Sequence, residues 1–163
     1  MSGPAAAELP VYRAKIEPDW IDYNGHLRDA YYLLAASYAI DGLMDYLGLD
    51  AAYRASTHCT LYSLEMHVHF LNEIKSSDDL KVITSILDFD RKRIHAGCTF
   101  VCSRLSHKAA MVDMMLMHVH QGATPAGASF PETVTAKLSA LKLSAAAREA
   151  FGPVSRKIEL KHR

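Results

Sequence analysis

Trp20–Leu33 reads W-I-D-Y-N-G-H-L-R-D-A-Y-Y-L. The D-Y-N-G portion is turn-forming and runs straight into the longest helical pattern of the chain. Gly25 is free to take a positive φ, and Asn24 tolerates the same region. Asp29 is the expected N-cap, because its carboxylate can accept from the open N–H groups of a first turn. Acid, amide and histidine therefore crowd one helix entrance. Such an entrance carries unpaired N–H donors and a partial positive charge, so it suits a developing oxyanion.

From Asp29 to Leu47, apolar residues recur at Leu33, Ala36, Ile40, Leu43, Met44 and Leu47, the spacing of a helix with one buried face. Gly48 is placed to end it. Before the turn, residues 1–10 read as a loose leader closed by Pro10, and Val11–Ile16 as a short strand. After the helix, Ala51–Thr57 reads as a linker. Four strands follow: Thr60–Leu71, Leu80–Phe89, Ile94–Leu105 and Lys108–His120, joined as antiparallel hairpins. In the first of these, Leu64, Met66, Val68 and Phe70 alternate with Ser63, Glu65, His67 and His69. Gly122–Ala128 is a Gly/Pro loop. Ser129 and Glu132 have the spacing of a capping box, opening a helix to about Leu143. Ser144–Phe151 is a second short helix, stopped by Gly152-Pro153, and the tail is basic.

The order is strand, long helix, four strands, terminal helices. A helix this apolar must be covered, and a sheet wrapped around it is the simplest cover. The expected class is α+β, with domain residues 11–121 and a C-terminal segment 122–163 packed on the same domain.

Composition narrows the function. Lys+Arg and Asp+Glu are both 18, which argues against a dedicated nucleic-acid binder. Cys59, Cys98 and Cys102 fit neither a zinc module nor a disulfide framework, and suit a reducing cytosol. The N-terminus lacks the pattern of a signal peptide, and no apolar run approaches membrane-spanning length. A cytoplasmic location is expected.

With D-x-x-G-H at the helix entrance, this order resembles the hotdog-fold acyl-CoA thioesterases of the 4-hydroxybenzoyl-CoA thioesterase superfamily, over roughly Val11–His120. Five blocks carry a closer resemblance to the betainyl-CoA thioesterases of carnitine breakdown: the opening stretch, G-L-D, Y-S-L-E-M-H-V-H-F-L-N-E, F-D-R-K-R-I-H and M-L-M-H-V. The resemblance departs on the last strand. Val112, Asp113 and Met114 stand where relatives carry an acid-bearing Ser-Glu-Gln, which puts any role of that strand in question.

The resemblance implies hydrolysis of a short acyl-CoA, betainyl-CoA among the candidates, without a cofactor. Its aspartate falls on Asp22, as base or nucleophile; the competing reading is an aspartate that caps its own turn. The helix-entry amides fall at Asp29 and Ala30. Asn24 either orients water or glues the turn. Gly25 lets the backbone approach the thioester. His26 is either an acid–base group or a helix-start anchor. Arg91 and Arg93 either clamp coenzyme A phosphates or form a solvated hairpin turn. Tyr23 and Tyr32 either face a quaternary ammonium or pack the core. Glu65 lines the acyl pocket or a dimer seam. Two H-x-H pairs, His67/His69 and His118/His120, would make a metal site only if their strands brought all four rings together; the expectation is no metal. An exposed sheet edge leads to an expected homodimer at least. Two rival readings are an acyl-CoA hydratase or dehydratase using His26, and a non-catalytic acyl-CoA-binding module.

Overall fold

A computed structural model describes residues 9–152. Residues 1–8 of the expected 1–10 leader, and the basic tail from Pro153 onward, lie outside the described residues. The elements run β1 (Val11–Lys15), α1 (Asp29–Leu47), α2 (Ala51–Thr57), β2 (Cys59–Phe70), β3 (Asp79–Phe89), β4 (Arg93–Cys102), β5 (Ala110–His120), β6 (Ala126–Gly127), α3 (Glu132–Leu141) and α4 (Ala145–Phe151). A 3-10 turn at Pro18–Trp20 precedes the D-Y-N-G segment.

All strands lie in one antiparallel sheet of order β1-β3-β4-β5-β2, with β6 added to β5. One face of the sheet covers α1. That helix buries Tyr32, Ala35, Ala36, Ala39, Ile40, Leu43, Met44 and Leu47. The alanines let the sheet approach closely, and Val82, Ile86, Ile94, Phe100, Val112 and Met114 close over them. The predicted stripe was right except at its start: Leu33 is exposed and Tyr32 takes the inward position. Gly48 ends the helix in the left-handed region at φ 88°, as its sequence position requires. Phe130, Val134 and Leu138 carry the C-terminal segment into the same core. On the opposite sheet face, Phe151 of α4 packs with Met111 and Leu87.

Several local expectations need correction. Ala51–Thr57 is a helix rather than a linker, because the Asp50 carboxylate caps it by accepting from the Tyr53 N–H at 2.9 Å. The clean alternation of β2 breaks where the register shifts between Ser63 and Glu65. Leu61 faces the core before that bulge and Met66 and Val68 after it, so Leu64 is left half exposed. Ser129 and Glu132 do not form a capping box: α3 starts after Pro131 with no side-chain cap, and the Ser129 hydroxyl accepts from Arg91 instead. Part of the expected 122–128 loop pairs as β6 with Val119 and His120.

Candidate active site

The D-Y-N-G segment folds into a closed turn. Gly25 takes φ 80° and donates its N–H to the Asp22 carbonyl at 3.0 Å. The Asp22 N–H in turn donates to the His26 carbonyl at 2.9 Å. Oδ1 of Asp22 accepts from the backbone N–H of Asn24 at 2.8 Å and of His26 at 3.1 Å. The His26 amide above all, with Asn24 assisting, holds this carboxyl below the usual carboxylate range. Asp22 thus caps its own turn through Oδ1, and the Asn24 side chain also stabilises its charge.

The chain leaves the turn through Leu27, whose N–H donates to Ile74 O at 2.8 Å, and enters α1 at Asp29. Arg28, not Asp29, is the N-cap, and it provides no side-chain cap. Asp29 is the first helical residue, and its Oδ1 accepts from the next amide, Ala30 N–H, at 2.8 Å. This corrects the oxyanion expectation in part: the Ala30 donor is taken, and the Asp29 N–H has no acceptor among the described residues.

These groups line a cleft of about 620 Å³. One wall is Asp22, Tyr23, His26, Arg28, Asp29 and Tyr32; the other is Phe70, Leu71, Asn72 and Glu73, the end of β2 and the loop after it. The Tyr32 and Phe70 rings meet edge-on at 5.1 Å. Burial, opposed by an Ile74 backbone hydrogen bond, pushes the Tyr32 phenol up to about 12, so it stays neutral and able to donate. His26 Nε2 lies 3.0 Å from Glu73 Oε2. Loop 72–78 is braced from behind. Buried Asp78 accepts from the Lys75 N–H at 2.9 Å and from Arg104 Nε and Nη2 at 3.1 and 3.0 Å, and Arg104 also donates to Glu73 O.

The other expected site residues scatter. Tyr23 is almost fully exposed at the rim. Asn24 and Gly25 face solvent outside the cleft walls. A Cβ on Gly25 would meet nothing within 4 Å, so its glycine is needed for φ rather than for close approach. Glu65 sits on β2 away from the cleft, accepting from His67 Nε2 at 2.8 Å. Arg93 is held by Asp90, Arg91 by Ser129. Strand register puts Tyr62, Met117 and Arg93 in one row across the sheet, and Phe70, Ala110 and Phe100 in another seven residues away. That is about 24 Å along a strand, so within one chain the arginines do not reach the Asp22 cleft.

The same register separates the histidine pairs. His67 and His69 lie opposite Asp113 and Met111, whereas His118 and His120 lie opposite Leu61 and Cys59. His118 is buried, with Nε2 3.0 Å from the Tyr53 hydroxyl and Nδ1 3.0 Å from Ala128 O. His69 and His95 instead flank the Asp113 carboxylate, at 3.5 and 3.3 Å. Phe70 and Glu73, with Leu27, Arg28, Leu71 and Asn72, are cleft residues that the sequence did not mark, although Phe70 and Glu73 lie in the F-L-N-E that ends the β2 block. Folding gives them their role, because only the β2–β3 connection carries them over the helix entrance.

Comparison with known proteins identifies the family. Residues 16–138 match the model of the thioesterase-like superfamily. The chain is 41% identical over 133 residues to the betainyl-CoA thioesterase of Pseudomonas aeruginosa, covering 82% of this chain and 83% of that protein. It is 34% identical over 120 residues to an L-carnitine dehydrogenase/betainyl-CoA thioesterase of Agrobacterium fabrum, of which it spans 24%. Among solved structures, a Pseudomonas putida protein assigned as a thioesterase superposes with TM-score 0.75 at 36% identity, covering 98% of this chain and all of that one. A Staphylococcus aureus protein in complex with CoA gives 0.76 at 25% identity, covering 97% and 94%. The wrapped sheet is therefore the hotdog fold. The chain belongs to the thioesterase-like superfamily and is a thioester hydrolase by that membership.

Proposed function

We propose that this thioesterase hydrolyses betainyl-CoA to betaine and coenzyme A in the Asp22–Glu73 cleft. The observation that carries this reading is the cleft itself. An ionised carboxylate, a helix-entry amide at Asp29 and an aromatic wall share a space of about 620 Å³ in a chain 41% identical to an enzyme of that name. Oδ2 of Asp22 takes a proton from the attacking water, or attacks the carbonyl carbon itself. The Asp29 N–H and the neutral Tyr32 phenol stabilise the oxyanion that forms. Breaking the C–S bond releases coenzyme A, whose thiolate takes up a proton; on the water route this leaves the free acid, and on direct attack it leaves an acyl–Asp22 anhydride that a water molecule then hydrolyses to the free acid. No cofactor enters these steps.

The working unit in this reading is a cytoplasmic homodimer. Among the described residues the outer edge of β2 is unpaired, and Ser63, Leu64 and Glu65 on it are exposed. A two-fold pairing of that edge with its copy runs antiparallel, bringing the partner's Tyr62–Arg93 end beside the Phe70 end of the first chain. Arg91 and Arg93, too distant within one chain, would then flank the cleft mouth where coenzyme A phosphates enter.

An acyl-CoA panel read by thiol release tests the reaction, with an enoyl-CoA included and products identified. Release of free coenzyme A from betainyl-CoA is the expected result. Hydration without thiol release would favour a hydratase using His26, and tight binding without turnover an acyl-CoA-binding module. Sedimentation analysis tests the dimer: a monomer at micromolar concentration would refute it.

A further inference from the structure

Glu73 occupies an unusual place for a surface carboxylate. It stands on the cleft wall beside Phe70 and opposite Tyr32, and Oε1 has no partner among the described residues. Neither Arg28 nor Arg104 forms an ion pair with the Glu73 carboxylate among the described residues. Arg104 pairs with Asp78 and reaches Glu73 only through its carbonyl at 2.7 Å, near enough to feel its charge, and Arg28 Nη2 reaches the Ile21 carbonyl at 3.4 Å. His26 offers at most one proton, on the side of Oε2. Phe70 is more than half exposed although it touches Tyr32 edge-on, so a ring face is open to the cleft rather than buried in the core.

A quaternary ammonium group donates no hydrogen bonds. It is held by aromatic faces and by negative charge placed near it without direct coordination. A ring corner with a carboxylate beside it supplies both. We infer that Glu73, together with the Phe70–Tyr32 corner, determines specificity by seating a cationic acyl group, as distinct from the Asp22 machinery that cleaves the thioester. This inference rests on the thioesterase reading above and names the residues that select its substrate.

The test compares betainyl-CoA with its neutral isostere, 3,3-dimethylbutanoyl-CoA, which has the same shape with carbon in place of nitrogen. Glu73→Gln preserves an acceptor for His26, so the turn is retained. The wild type should prefer the cationic substrate. In Glu73→Gln, kcat/KM for betainyl-CoA should fall roughly five- to tenfold, mainly through KM, with little change for the isostere. Glu73→Asp should restore part of the preference, Phe70→Leu should lower the same ratio, and added salt should narrow it in the wild type. An equal loss on both substrates in Glu73→Gln would reduce Glu73 to a support for His26 and overturn the inference. So would a wild type that cleaves the isostere as well as betainyl-CoA, while the thioesterase reading survives. Thiol release from neither substrate would instead take down the proposed reaction, and the inference with it.

Discussion

Replacing Asp78 with alanine cuts the brace behind one cleft wall. The residue is 3% exposed; its carboxylate accepts from the Lys75 amide and from Arg104 Nε and Nη2, and the Cys102 thiol also bonds to it. Removing one partner of a buried ion pair commonly costs about 3–5 kcal/mol, because the other charge is left without compensation. Here the Arg104 side chain is 41% exposed, so water recovers part of that loss. The Lys75 amide is left without its acceptor, which adds about 1 kcal/mol at the low end of the range for such groups. The net expectation is roughly 2–3 kcal/mol, or a fall in Tm of about 4–12 °C for a chain of this size. Asp78→Asn keeps an acceptor for Lys75 and should lose about half as much. Both are measured by thermal and urea unfolding. Burial pushes the Asp78 carboxyl up, but the Lys75 amide and Arg104 outweigh it and hold it below its ordinary value. Its stabilising contribution is therefore present above the unfolded carboxylate range and disappears as pH falls through the lower folded value. The gap between wild type and Asp78→Ala should close in that acid window. A Tm within 2 °C of wild type at neutral pH, or a gap unchanged into strong acid, would refute the brace.

Asp22→Asn keeps the Oδ1 acceptor and the turn but removes the charge, so circular dichroism should be unchanged while kcat falls roughly 10²–10⁴-fold; near-normal kcat would remove Asp22 from the mechanism. Because the His26 and Asn24 amides hold Asp22 below the usual range, it stays ionised through mildly acid conditions. The pH profile of kcat/KM should show no loss attributable to it between pH 5 and 7. Gly97→Ala should destabilise by roughly 1–3 kcal/mol, since its Cβ would stand 2.5 Å from Phe151 Cζ; Phe151→Leu in the same chain should make the two losses less than additive, and simple additivity would show that the contact is not what Gly97 preserves. Arg91→Ala and Arg93→Ala should raise KM, spare kcat and weaken in effect at higher salt if the dimer brings them to the phosphates. A kcat loss without a KM change would place them elsewhere.

Reading Trp20–Leu33 as a turn feeding a helix needed no tertiary information. Gly25 supplies the positive φ, Asp22 closes the turn through its neighbours' amides, and the three-and-four spacing from Ala36 to Leu47 marks one apolar face. Such features follow from residue chemistry within a few positions of chain. The strands β3, β4 and β5 were legible for the same reason, and Asp50 as a cap for α2 was legible but overlooked. The β2 bulge was not, because it is settled by how two strands twist against each other. Nor was the capture of Ala30's N–H by Asp29, since two cap positions one residue apart are equally acceptable locally. Above all, the sequence by itself determined which groups could do the chemistry, while the tertiary structure alone decided which of them meet. Phe70 and Glu73 come to the helix entrance, and within one chain Arg91, Arg93 and Glu65 stay away from it. The physical reason is register: a strand row fixes its neighbours across the sheet by backbone hydrogen bonds that no single segment can specify.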